Sequence, residues 1–380
     1  MESFFDKVER KDYGVDMIHF RLIFLVALLF GFLFPFEGNS SSVSGSVSSY
    51  NINSYDGVDA DFSHLQEQGI IVTGRRDVSG SFDQVTLLPG SVANIKGSLV
   101  VGKGGIHSPS SDGVFINGGV LTSSVGMIDI HLTGSHPSAT TYVTAAITDY
   151  QGRKVGFRVG GKVSGTSPVG PYGCVYIQGG GHSFTGDVII KGRNEIAFDA
   201  IGVVARGNIY INDGGWLYIR NSGQISSSSM VTLNNGAFAF HPNVRLALVE
   251  KFHRLVVNER GYINFHYKPN LHKGRSLYLD DLMISNRSEL VIGDWVSGAT
   301  KLLVRKDSEH LADALGKIKF GHIKGGGVAK VREYNNEYWE IFAMVPEPAT
   351  YGAILATVGL GLVFWKKCRS GKPNPREDIN

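Results

Sequence analysis

The middle of the chain consists of short runs in which apolar and polar residues alternate, separated by turns rich in Gly, Asn, Asp and Ser. Alternation with a period of two is typical of β-strands, whose successive side chains point to opposite faces. No long stretch of this region has the period of a helix. The sequence therefore predicts an all-β domain, which we place at residues 61–288.

Six segments share one pattern, an apolar strand, a turn of polar residues and Gly, and a second apolar strand. Their turns carry glycines such as Gly119, Gly215, Gly236 and Gly261, which we expect because Gly tolerates positive φ. The segments are VTLLPGSVANI from position 85, VFINGGVLTSS from 114, IYINDGGWLYI from 209, VTLNNGAFAF from 231, LVVNERGYINF from 255 and LMISNRSELVI from 282.

The later turns recur at intervals that indicate a solenoid. Gly215, Gly236 and Gly261 stand 21 and 25 residues apart, and Ser288 follows at a similar interval. Repeats of this length bury their apolar faces against neighbouring coils, so we interpret the domain as a right-handed parallel β-helix. A β-sandwich or jelly roll with hairpins at the same turns is the alternative. The pattern changes at residues 289–343, which we interpret as the cap of the solenoid, with a short helix inside it.

The N-terminal 38 residues are typical of an export signal. The apolar run at 22–36 follows His19 and Arg21 and precedes a Ser-rich stretch, which we interpret as a linker at 39–60. Met17 is an alternative start to Met1, and no clear cleavage site is visible. An uncleaved anchor helix is the alternative to a cleaved signal.

The C-terminal region has the composition of a membrane segment. An apolar stretch of 18 residues begins at Pro348 and would span about 27 Å as a helix, just enough for the hydrocarbon core of a bilayer. A basic cluster, Lys366, Lys367 and Arg369, follows it and predicts a cytoplasmic end with a tail at 370–380. Before it, the Pro-Glu-Pro triplet predicts an extended, accessible peptide, because proline cannot continue a helix.

This order of elements resembles the PEP-CTERM sorting signal of Gram-negative bacteria. The resemblance covers residues 344–369 and includes the motif Val345, Pro346, Glu347 and Pro348, the apolar helix and the basic cluster. It implies recognition by an exosortase, a membrane cysteine protease or transpeptidase that cuts near the triplet. A plain single-pass anchor is the alternative.

A second resemblance concerns the solenoid. Residues 179–225 are similar to the autotransporter-associated β-strand repeat, with Phe184, Thr185 and Gly186 as its aromatic-Thr-Gly element and an Asn-x-Gly-Gly turn at 212–215. The C-terminal barrel strands of true autotransporters have no counterpart here, so the resemblance does not imply self-secretion.

Composition excludes several classes of protein. The net charge of +3 provides no basic surface for nucleic acid. Only two cysteines occur, Cys174 and Cys368, which excludes a disulfide framework and a thiolate metal site. The 12 histidines lack metal-ligand spacing, and we expect no metal and no cofactor.

Catalytic carboxylates are the remaining candidates, because parallel β-helices include polysaccharide lyases and hydrolases. Adjacent aspartates on a strand point to opposite faces, so Asp280 and Asp281 are not expected to form an acid/base pair. Asp199, Asp213 and Asp294 lie at predicted strand or turn positions, where solvated carboxylates are common.

The sequence therefore predicts a non-enzymatic structural or adhesion protein of the cell envelope or extracellular matrix. Its expected partners are the general secretory machinery, an exosortase and the inner membrane, with extracellular polysaccharide as a candidate ligand. We expect it to be anchored in the inner membrane before processing and then to reach the cell surface or matrix. A secreted β-helix carbohydrate-active enzyme is the alternative function.

Overall fold

The computed structural model describes residues 50–51, 69–108, 113–132, 140–161, 173–321 and 327–344, with six further positions between 356 and 366. All of these residues belong to one compact unit of the chain, 45–54 with 61–380. The predicted export signal, the sorting motif at 345–348 and the cytoplasmic tail lie outside the described residues.

The described part contains 25 strands and one short helix. They are β1 (Tyr50–Asn51), β2 (Ile70–Val72), β3 (Arg75–Leu87), β4 (Val92–Ser108), β5 (Val114–Asn117), β6 (Val120–Ser123), β7 (Met127–Leu132), β8 (Thr140–Val143), β9 (Ala146–Ile147), β10 (Gly156–Gly160), β11 (Gly173–Gly179), β12 (Val188–Ile190), β13 (Asn194–Ala200), β14 (Ile209–Asn212), β15 (Trp216–Ile219), β16 (Met230–Asn234), β17 (Ala237–Phe240), β18 (Leu248–Val257), β19 (Arg260–Asn264), β20 (Arg275–Ile284), β21 (Glu289–Gly293), β22 (Thr300–Arg305), α1 (Leu311–Leu315), β23 (Ile318–Phe320), β24 (Val328–Glu333) and β25 (Tyr338–Met344).

Parallel pairing between successive coils organises the strands from β1 to β23. Each strand pairs with the strand one coil earlier and the strand one coil later, as in the series β11, β13, β15, β17, β19 and β21. The result is a parallel β-helix of about 9 turns. This confirms the predicted all-β class and solenoid, and it excludes the sandwich alternative, which is built from antiparallel hairpins.

Three stacks of strands form the sides of the solenoid. We name them the first, second and third stack in the order in which one coil passes through them. β4 passes through all three, because Val92–Asn94 pairs with β5, Ser98–Val101 with β6 and Ile106–Ser108 with β7. The first stack continues through β5, β8, β11, β13, β15, β17, β19, β21 and β23.

The core lies inside the coils, where alternate residues of every strand point inward. Burial alternates accordingly, as in β7, β11 and β14. The interior is filled by Val, Ile, Leu and Phe, and burial of these side chains stabilises the fold at roughly 25 cal/mol per Å² of apolar surface. The phenylalanines of the core with no exposed surface are Phe157, Phe184, Phe198, Phe238, Phe240, Phe252 and Phe265.

The predicted strand-turn-strand segments form corners of the solenoid. Five of them connect the third stack to the first, whereas the segment from Val114 forms the corner between the first and second stacks. At the first kind of corner the side-chain amides of Asn212, Asn234 and Asn258 form a ladder. The Nδ2 atom of Asn234 donates to Oδ1 of Asn212 at 2.7 Å, and that of Asn258 donates to Oδ1 of Asn234 at 3.1 Å.

The corner glycines are required mainly by close packing. Gly119 has a φ of 54°, but Gly215, Gly236 and Gly261 are not among the residues with positive φ. A Cβ atom at Gly236 would lie 2.5 Å from the carbonyl oxygen of Ile211 on the preceding coil. Positive φ occurs instead at the residues before them, including Asp213 at 56° and Asn235 at 57°.

Ser288 does not take the position that its spacing suggested. In the first stack Gly261 lies opposite Leu290, two residues later. Ser288 instead donates its hydroxyl to the carbonyl oxygen of Asn258 at 2.8 Å.

Antiparallel strands close the C-terminal end of the solenoid. Parallel pairing continues through β21, β22 and β23, beyond residue 288. β25 then pairs antiparallel with β22 and with β24, while α1 lies against β20. A cap of this kind covers the edge at which another chain could add strands.

The six described positions near the C-terminus are helical. Leu360, Leu362 and Trp365 among them are more than half exposed, and Lys366 is exposed as well. Within the described ranges, no helix is both long and apolar enough to cross a membrane. Lys367 and Arg369 lie outside the described residues.

Candidate functional site

The outward side of the first stack carries a concentration of aromatic and titratable side chains. Register places them on neighbouring coils, because Phe115 lies opposite Tyr142, and Tyr142 opposite Tyr176. We name this surface the aromatic face. Its members are Phe115, Tyr142, Cys174, Tyr176, Glu195, Trp216, Tyr218, His241 and His266.

One end of the aromatic face is a ladder of stacked rings. The ring centroids of Phe115 and Tyr142 are 4.7 Å apart, and those of Tyr142 and Tyr176 are 5.3 Å apart. The guanidinium of Arg220 lies 5.5 Å from the centroid of Tyr176 and forms an ion pair with Asp199 at 3.4 Å. The ladder therefore ends in a cation that is itself held by a carboxylate.

Small residues shape the other end. Trp216 and Tyr218 lie opposite Ala237 and Ala239 on the next coil, and both alanines are buried although they point outward. The ring of His266 stacks against those of Trp216 and Tyr218, at centroid distances of 6.4 and 6.0 Å. The three rings form a packed layer outside the solenoid wall.

Two loops, 241–247 and 265–274, border this layer, and Arg275 ties them together. Its guanidinium donates from Nη2 to the carbonyl oxygens of His241 at 3.1 Å and Val244 at 3.0 Å. From Nη1 it donates to those of Phe240 at 3.4 Å and Phe265. Arg275 is fully buried, and burial lowers its pKa to about 10. A buried cation bound by backbone carbonyls fixes loop positions rather than binding a ligand.

Burial also shifts the acid and base on the aromatic face. It raises the pKa of Glu195 to about 7, partly offset by a hydrogen bond with the Cys174 thiol, whose own pKa burial raises. Burial, reinforced by Arg220, lowers the pKa of His241 to about 4. At neutral pH the face therefore carries a neutral imidazole and a carboxyl group that is partly protonated.

Substituting Glu195 with glutamine should change how stability depends on pH. Because the folded-state pKa lies above 4.5, the stabilisation is fully present below pH 4.5 and is lost as pH rises through 7. We expect wild type and Glu195→Gln to unfold with similar free energies near pH 4.5. By roughly pH 8 the variant should be more stable by up to about 3 kcal/mol. Urea unfolding across this range measures the difference, and a constant difference at every pH would contradict the assignment.

The carboxyl groups of this face are not spaced for glycoside hydrolysis. Glu195 and Asp199 are four residues apart on β13, which corresponds to about 13 Å along a strand. Acid/base pairs of glycosidases stand roughly 5 to 10 Å apart. Asp199 also accepts a hydrogen bond from Nε2 of Gln178 at 3.0 Å. The arrangement favours a packed surface over a hydrolytic centre.

Asp280 and Asp281 have separate partners, in keeping with opposite orientations. Asp280 lies 3.3 Å from Nδ1 of His253. Asp281 is buried and accepts hydrogen bonds from Ser308 at 2.6 Å and His310 at 2.8 Å, and it pairs with Arg254 at 2.9 Å. It thus fastens the segment before α1 to the solenoid.

The other candidate aspartates occupy turns. Asp213 and Asp294 have positive φ, 56° and 48°, and Asp294 lies 3.4 Å from Nδ1 of His266. In the described part of the chain, no group of three or more His, Cys, Asp or Glu residues is placed to hold a metal ion.

The aromatic-Thr-Gly element at 184–186 has a structural part in its coil. Phe184 is buried in the core. Thr185 donates from its hydroxyl to Asp149 at 2.7 Å and from its backbone N–H to the same carboxylate at 2.9 Å. These bonds help to hold the pKa of Asp149 below its usual range, against the effect of burial.

Neither Glu195 nor Arg275 carries a local sequence signal that singles it out. Glu195 is one of many polar residues at alternate strand positions, and its neighbours come from coils 21 residues away on either side, at Cys174 and Trp216. The strands VYI and WLYI, with aromatic residues at outward positions, were the available hint of the aromatic face.

Comparison with known proteins adds no further identification. The chain matches no family model, no curated protein and no solved structure.

Proposed function

We propose that the protein is an exported, non-enzymatic structural or adhesion protein of the bacterial cell envelope or extracellular matrix. The observation that carries the proposal is the long solenoid, whose outward aromatic side chains are packed against one another and lack a closely spaced carboxyl pair. We take the solenoid to be right-handed, the hand of nearly all parallel β crossovers. Extracellular polysaccharide is the candidate ligand of its surface.

Export and sorting belong to the same proposal. The apolar run at 22–36 would direct the chain to the general secretory machinery, and the motif at 345–348 would direct it to an exosortase. The helical, exposed positions of Leu360, Leu362 and Trp365 support a helix that a bilayer would cover. Anchoring in the inner membrane would then precede release to the cell surface or matrix.

Substituting Glu347 with alanine tests the sorting step. In a host with an exosortase, we expect wild type to lose the residues beyond the triplet and to leave the inner membrane. Glu347→Ala should keep its C-terminal segment and stay in the membrane fraction. Intact mass and cell fractionation measure both properties.

Two controls define this experiment. Glu309→Ala removes an exposed glutamate of the cap and should be processed like wild type. A host without the enzyme should leave all variants uncut. If the wild-type mass always includes the C-terminal segment, the segment is a permanent anchor and the sorting proposal fails.

A secreted carbohydrate-active enzyme is the second candidate, and the raised pKa of Glu195 is the observation in its favour, since a protonated carboxyl can act as a general acid. Polymer-degrading activity that Glu195→Gln abolishes would support this candidate. We expect no such activity, because the second carboxyl group of that face is too distant.

A further inference from the structure

The cap ends in an exposed apolar pair at the point where the chain leaves it. Val328 begins β24 and Met344 ends β25, and the two residues lie opposite each other in the antiparallel pair. Their exposed fractions are 61% and 54%, although the neighbouring Ala329 and Ala343 are buried. We name Val328 and Met344 the cap tip.

Cationic side chains follow the tip on the same side of β24. Lys330 lies opposite Phe342, and Arg332 lies opposite Glu340. Lys330 is exposed, whereas Arg332 forms an ion pair with Glu340 at 2.8 Å and covers the ring of Phe342 at 5.2 Å. The surface thus changes from apolar at the tip to cationic behind it, the pattern of side chains that lie at a lipid headgroup layer.

Chain length places this tip near the membrane of the proposed anchored form. Only four residues, 345–348, separate Met344 from the stretch that we propose to span the bilayer. Fully extended, four residues reach at most about 14 Å. The tip can therefore stand no farther than this from the hydrocarbon boundary, next to a headgroup layer that is roughly 5 to 8 Å thick.

We propose that the cap tip is a membrane-contacting surface, with Val328 and Met344 in the interface and Lys330 facing anionic phospholipid headgroups. This inference rests on the proposed membrane anchoring. The contact would orient the solenoid on the bilayer and hold the sorting motif at the surface where a membrane protease works. Attraction to anionic lipid is worth roughly 1 kcal/mol for each cation near the surface.

A fluorescent probe on the full-length chain tests the contact. In a Cys174→Ala, Cys368→Ser background, Val328→Cys is labelled with an environment-sensitive dye and the chain is reconstituted in phosphatidylcholine vesicles containing about one quarter phosphatidylglycerol. Ile201→Cys is the matched control, since Ile201 is apolar, 89% exposed and located on a coil of the solenoid.

We expect brominated lipids to quench the probe at position 328 at least about two-fold more than the probe at 201, because only the first lies at the interface. Adding Lys330→Glu should reduce the quenching at 328, and vesicles without anionic lipid should do the same. Lys96→Glu, which changes an exposed lysine at a distant coil, should leave it unchanged.

Three results would overturn the inference, each in a different way. Equal quenching at 328 and 201, with the chain floating with the vesicles, would leave the proposed anchoring intact and show that the tip stays in water. Cross-linking between copies through position 328, without lipid quenching, would assign the tip to a second copy of the chain. A chain that does not float with vesicles would refute the anchoring itself.

Discussion

Replacing Gly207 with alanine should destabilise the solenoid by about 3 kcal/mol, among the largest effects expected of any single methyl group in this chain. A Cβ atom at this position would lie 2.3 Å from the carbonyl oxygen of Gly186 and 2.6 Å from its carbonyl carbon. Both atoms belong to the backbone of the preceding coil, so no side chain can move aside. The coils would have to separate where the third stack begins.

Gly180→Ala is the matched control for Gly207→Ala. Gly180 belongs to the same region of the solenoid, and a Cβ atom there would meet no atom within 4 Å. Its φ is also outside the positive range. We expect its stability to lie within about 0.5 kcal/mol of wild type. Urea unfolding followed by circular dichroism measures both variants, and equal midpoints would show that the coils are not packed as closely as the geometry requires.

Replacing Arg275 with methionine should cost about 4 kcal/mol and loosen the two loops beside the aromatic face. The variant would leave the carbonyl oxygens of Phe240, His241, Val244 and Phe265 without their shared donor. Methionine fills part of the space but supplies no N–H group. Hydrogen exchange at 265–274 should therefore rise more than exchange in β13 or β15, which pair within the wall of the solenoid.

Arg245→Met serves as the control for Arg275→Met. Arg245 lies in the loop 241–247 but is exposed, so its substitution removes a charge of the same sign without emptying a buried site. We expect near wild-type stability and unchanged exchange in the loops. If Arg275→Met behaves like this control, the four carbonyl bonds do not hold the loops, and other contacts such as that of His272 with Pro242 at 2.7 Å do.

The repeating unit of the fold was accessible from the sequence because it depends on local chemistry. A period of two in apolar residues, interrupted by Asn and Gly, predicts strands and corners wherever both faces of the pattern are clear. The spacing of 21 residues between Gly215 and Gly236 matches the coil that the structure shows, since Trp216 lies opposite Ala237. These features need only the preferences of the chain at each position.

The aromatic face depended on register between coils of different lengths. Tyr142 and Tyr176 are 34 residues apart but lie directly opposite each other, whereas Glu195 and Trp216 are opposite at 21. Loops absorb the difference, and a shift of one residue would move each side chain to the other face. The spacing of aromatic residues in the sequence therefore contains too little information to place them in one ladder.

What the sequence determined by itself is the all-β class and the coil corners, because strand alternation and turn chemistry act over a few neighbouring residues. The two terminal address segments stay predictions of the same local kind, drawn from apolar runs and their flanks. Only the tertiary structure decided which corner each segment forms, why the corner glycines are needed, and where Glu195 and Arg275 are buried. Those properties arise from contacts between coils, and the packing of one coil on the next sets both the space for a Cβ atom and the dielectric surroundings of a charge.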